Sequence, residues 1–142
     1  MAVTVDRRYQ RELHPLHAFL LAGMVPLFLG AMLSDIAYAF SYQIQWINFA
    51  SWLIAGGLVF GACALVWAVI DLFRADRLER FPLVYALLLL ATWILGFINA
   101  LVHAKDAWAI MPAGLALSVI VVVLAGAATW AGFSGIRARG DV

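Results

Sequence analysis

Four stretches of the chain are apolar over membrane length and nearly free of charge: about Leu16 to Ala39, Phe49 to Ile70, Leu83 to Val102 and Met111 to Phe133. Each reaches the roughly 20 residues that a spanning helix needs. In hydrocarbon a backbone must satisfy its own hydrogen bonds, so runs of this kind are read as helices. The pattern predicts spans at about 15–40, 46–73, 82–103 and 111–134, joined by short connections into one antiparallel bundle over 13–136. The fold class is all-α, a polytopic membrane protein with four transmembrane helices. A basic arm over 1–12 precedes the bundle and a short tail over 137–142 follows it.

Prolines punctuate the runs. Pro15, Pro82 and Pro112 open spans one, three and four, where the missing N–H costs nothing. Pro26 is mid-span, so it removes the hydrogen bond to the Ala22 carbonyl and is expected to kink the helix.

The polar positions inside the runs are few and ordered. His17 and Asp35 are eighteen residues apart, five helical turns, and so leave one face of span one, which also carries Met24 and Ala31. Their axial separation is about 27 Å, close to the ~30 Å hydrocarbon thickness of a bilayer. One polar group thus stands near each membrane surface. In span three Tyr85, Thr92 and Asn99 recur every seven residues and His103 follows one turn later, a polar stripe on one side. Span two has Gly57 and Gly61 at the spacing that permits close helix approach. Span four has Ser118 and Thr129 as its main polar groups and reads as a packing helix.

Composition agrees with this picture. Of 142 residues, 66% are hydrophobic and 12% charged, and the mean hydropathy is +0.99. A soluble domain is about half apolar. The net charge of +1 gives no reason to expect a nucleic-acid partner. Orientation follows from the basic residues: Arg7, Arg8 and Arg11 precede span one, Arg74, Arg77 and Arg80 lie between spans two and three, and Arg137 and Arg139 are in the tail. Lys105 stands alone on the other side. Positive charge is retained on the inner side, which predicts a multi-pass protein of the cytoplasmic membrane with both termini inside. The polar link around Ser41 to Gln45 is then external, with Tyr42 and Trp46 in the outer aromatic belt and Tyr9 near the inner one. The N-terminus imitates a secretory signal, but its apolar run is too long and is interrupted by Asp35, so it is expected to be retained. The lone Cys63 reads as a small buried hydrophobe.

The residues His14-Pro15-Leu16-His17-Ala18, Ser34-Asp35-Ile36-Ala37-Tyr38, Ile44-Gln45-Trp46, the span ending in Asp71, and Asn99-Ala100-Leu101-Val102-His103 followed by Asp106 and Trp108 carry a resemblance. Together they resemble the short four-span bacterial membrane proteins grouped as domain of unknown function family 2231, from His14 to about Phe133. The chain departs from that pattern at Ala104, Lys105 and Ala107, where a small polar residue, an arginine and a glycine are expected. The resemblance implies the fold and the membrane. Because some relatives are joined to iron-sulfur domains of the Rieske type, it also hints at membrane redox chemistry.

Topology sorts the ionisable and polar groups into two clusters. Asp35, Tyr38, Asn48, Asn99, His103 and Asp106 belong to the outer end; His14, His17, Asp71 and Arg74 belong to the inner end. Such groups are expensive in a bilayer and normally face the bundle interior, as hydrogen-bonded knots or as functional sites. Asp35 and His103 end spans running in the same direction, so they arrive at similar depth and are expected to pair. Three functions fit. One is an accessory or anchor subunit linked to redox chemistry, with a periplasmic or membrane redox protein as partner and haem b as a candidate cofactor. His17 and His103 are the candidate haem ligands, but they lie at opposite surfaces, so bis-histidine ligation would need a homodimer, and His103 with Met32 or Met111 is the alternative within one chain. Another is a proton or small-solute path through the His and Asp groups. The last is a purely structural subunit. No nucleophile and base stand at recognisable spacing, so no catalytic activity of the chain alone is expected.

Overall fold

The computed structural model describes residues 13–74 and 80–137. They form four long helices, α1 (Pro15–Ser41), α2 (Ile44–Arg74), α3 (Arg80–His103) and α4 (Ala113–Arg137). Each holds a segment long and apolar enough to cross a membrane. The helices pack in a ring, α1 on α2 and α4 and α3 on the same two neighbours, so α1 and α3 stand across the diagonal. Arg7, Arg8, Arg11, Tyr9, Arg77 and Arg139, on which part of the orientation argument rests, lie outside the described residues.

Helix ends follow local chemistry. His14 caps α1, its Nδ1 accepting the Leu16 N–H at 3.2 Å, and Pro15 takes the first helical position. The far end of α1 closes on Tyr42, in the left-handed region at φ 53°, whose N–H donates to the Tyr38 carbonyl at 2.8 Å. A tyrosine there is strained. Its ring is held between Tyr38, 6.1 Å away edge to face, and Trp108, stacked at 6.4 Å. The link between α1 and α2 is thus only Tyr42 and Gln43. Between α3 and α4 the chain makes a short 3-10 turn, Ala107–Ala109. Consequently α4 opens at Ala113, and Pro112 stands just before it with its carbonyl accepting from Ala116. Pro26 lies inside α1 without ending it, and the buried face runs unbroken from His17 to Tyr38 through Met24 and Ala31.

The inner faces mesh through small residues. Leu21, Met24, Phe28, Ile54, Leu89 and Val121 fill the centre. A Cβ on Gly57 would come within 2.8 Å of the Phe28 ring, and one on Gly96 within 3.3 Å of it. The tip of the Phe28 ring therefore packs against a glycine of α2 and a glycine of α3. Gly61 faces Met24 in the same seam, so the pair at GxxxG spacing is a true α1–α2 contact.

The outer faces are as apolar as the inner ones. Phe19, Trp52, Val59, Val66, Val123 and Trp130 all point away from the bundle, as side chains in lipid do. Cys63 is among the outward residues, which corrects the expectation that the bundle buries it. On α2 the inward positions are Gly57, Gly61, Ala64 and Ala68, and Cys63 falls off that stripe.

Candidate functional site

Two polar groups occupy opposite ends of the bundle. At the end where α3 stops, Asp35 of α1, Asn99 and His103 of α3, and Ser118 of α4 meet, all buried. Asp35 is 0% exposed. His103 Nε2 lies 2.8 Å from Asp35 Oδ1, and Ser118 Oγ donates to Asp35 Oδ2 at 2.6 Å. Asn99 Nδ2 donates to Ser118 Oγ at 2.9 Å, and His103 Nδ1 lies 3.0 Å from the Asn99 carbonyl. These four contacts close a loop that ties α1, α3 and α4 at one depth.

The donors and acceptors in that loop are fixed by elimination. A carbonyl oxygen only accepts, so His103 Nδ1 carries a hydrogen. Ser118 spends its own hydrogen on the carboxylate, so Asn99 must offer its NH2 side to the hydroxyl. One further proton lies between Nε2 and Oδ1, on either atom, and in both cases the pair as a whole is neutral. A neutral pair suits a lipid-bounded site. Asn99 Oδ1 is left over, buried without a partner among the described residues.

Not every residue expected at this end joins the loop. Tyr38 is buried in a small apolar cluster with Ile47 and Ile110. Asp106 is exposed and precedes the 3-10 turn without a side-chain cap. Asn48 is exposed as well, because its neighbours Ile47 and Ala50 hold the inward face of α2. Ser118 was legible only as a polar residue in a packing helix. Nothing on its own helix repeats with it, and its partners lie nineteen and eighty-three positions away.

The other end is aromatic. His17, 3% exposed, has Nε2 2.7 Å from the Tyr85 hydroxyl, and its ring meets Tyr85 edge-on at 6.0 Å. Trp67 of α2 lies 5.7 Å from the His17 ring and 4.9 Å from that of His14, tilted in both cases. Asp71, one turn along α2 from Trp67, acts electrostatically on both His17 and Tyr85. His17 Nδ1 is buried without a partner among the described residues. Arg74 is exposed at the end of α2. Trp67 carried no sequence signal, being one apolar residue in an apolar run.

The layer between the two ends is built from Met24, Phe28, Leu89, Val121 and Ala125. Thr92, its polar member, turns its hydroxyl to the Leu88 carbonyl of its own helix at 2.7 Å. Thr129 reaches the Leu21 carbonyl at 3.4 Å, one residue from the Ala22 carbonyl that Pro26 leaves without an amide.

The sequence fits the family model described as "Predicted membrane protein (DUF2231)" over residues 13–135, which is nearly all of the chain. The chain belongs to that family. All of the four-residue loop and all of the aromatic group fall inside the DUF2231 match. No curated protein and no solved structure matches the chain.

The residues at hand do not suit a haem at His103. Both of its ring nitrogens are engaged, one by Asp35 and the other by a backbone carbonyl, so ligation would have to break a buried pair. Among the described residues no three His, Cys, Asp or Glu side chains converge to hold a metal ion.

Proposed function

We propose that this DUF2231 protein is an accessory or anchor subunit of a membrane assembly, seated in the inner membrane with both termini cytoplasmic. The observation that carries the reading is the closed loop of Asp35, His103, Ser118 and Asn99. Its hydrogen bonds, with only Asn99 Oδ1 left over among the described residues, hold three helices in register, as a scaffold requires. An apolar centre with Thr92 bonded to its own helix supports the same view over a proton path. The redox half of the reading rests on the family resemblance and on interfacial aromatic groups, with the partner a periplasmic or membrane redox protein.

The test is native electrophoresis of source membranes dissolved in a mild detergent. The chain is expected to migrate within a larger assembly that contains a redox-active component. Migration as an isolated monomer or homodimer in every mild detergent would overturn the proposal. The purified chain is expected to show no Soret band that depends on His103; a band lost in His103→Ala would reinstate the haem reading.

A further inference from the structure

We infer that the His17 end is a binding site for the headgroup of a membrane quinone. A buried polar atom without a partner is costly and calls for an explanation. His17 Nδ1 is such an atom, in a ring whose other nitrogen is already tied to Tyr85. Its surroundings narrow the ligand: an indole face at Trp67, a phenol edge at Tyr85, and a location three residues into α1, near the membrane surface. The matching partner is flat, aromatic, lipid-soluble and edged with an oxygen that can hydrogen-bond. Phosphates and simple cations have no use for the ring faces, and among the described residues no three His, Cys, Asp or Glu side chains group to hold a metal ion.

His14 supports this assignment. It is exposed, at the cap of α1, and its flat ring lies against Trp67 at 4.9 Å, where a planar headgroup would lie.

The His17–Tyr85 pair also accommodates both redox forms of the headgroup. With a quinone, Nδ1–H donates to the carbonyl oxygen and the Tyr85 O–H donates to Nε2. With a quinol, the quinol O–H donates to Nδ1 and Nε2–H donates to the Tyr85 oxygen. Only the imidazole tautomer differs. This inference rests on the redox half of the proposed function and names a ligand for it.

The experiment uses the full chain in phosphatidylcholine nanodiscs, titrated with a decyl-tailed dimethoxybenzoquinone while indole fluorescence is read. Saturable quenching is expected, with the saturable part lost in Trp67→Phe. His17→Gln is expected to weaken binding about tenfold, the loss of one buried hydrogen bond, and His14→Ala to leave it equal or tighter. Tyr85→Phe, which keeps the ring, guards against misfolding in the histidine variant and is expected to weaken binding less than His17→Gln. Quenching that only rises linearly, as from quinone dissolved in lipid, or that is unchanged in Trp67→Phe and His17→Gln, would overturn the site. Such a failure would leave the migration of the native assembly untouched, so the two proposals fail separately.

Discussion

Asp35 is the residue on which most depends, because a carboxylate buried in a membrane bundle is tolerable only with its partners. Removing one member of a buried pair leaves the other uncompensated, at about 3 kcal/mol or more. Asp35→Asn and His103→Gln are each expected to lower the detergent melting point strongly, and the double variant less than their sum. Additive losses in that cycle would mean that the 2.8 Å contact contributes no coupling. Ser118→Ala strands both Asp35 Oδ2 and Asn99 Nδ2, and should cost about 1–3 kcal/mol in the same melt. A harmless Ser118→Ala would reduce the serine to filler. The pairing of Asp35 with His103 was legible because both end spans of one direction. Ser118 was not, since a hydroxyl three helices away in sequence has no periodicity to announce it.

At the scale of the helix, the decisive contacts are made by what is missing from a side chain. Phe28 packs its ring against both Gly57 and Gly96, so a methyl on Gly57, within 2.8 Å of the ring, forces the ring to move. Gly57→Ala is expected to destabilise by about 1–3 kcal/mol, as overpacked cores do. Combining it with Phe28→Leu should recover part of the loss, and thermal melts of the three variants check this. No recovery would show that the close approach of backbones, and not the ring, sets the limit. The four membrane-length helices were legible, since length and lack of charge decide them. Which side of each span faces inward was legible only where polar residues marked it, as at Tyr85, Thr92, Asn99 and His103, all buried. Cys63 and Trp67 escaped because lipid makes the outside of α2 as apolar as the inside. A soluble helix would have shown the difference.

For the whole molecule the remaining question is which end faces which compartment. In the proposed orientation, which follows the charge bias of the sequence, the His17 end is inside. Reporter fusions after Leu78 and after Val142 are therefore expected to behave as cytoplasmic and one at Lys105 as external; an external C-terminus would reverse both ends and put the quinone site on the outer surface. The order of assembly follows from the closed loop of hydrogen bonds. Asp35 arrives with the first helix to leave the ribosome, His103 with the third and Ser118 with the fourth. Until the last helix is in the membrane, the first carries an acid whose final partners do not yet exist. A chain cut short before Ser118 would hold that acid half-satisfied in the bilayer, so the last helix to arrive is the one that completes the first.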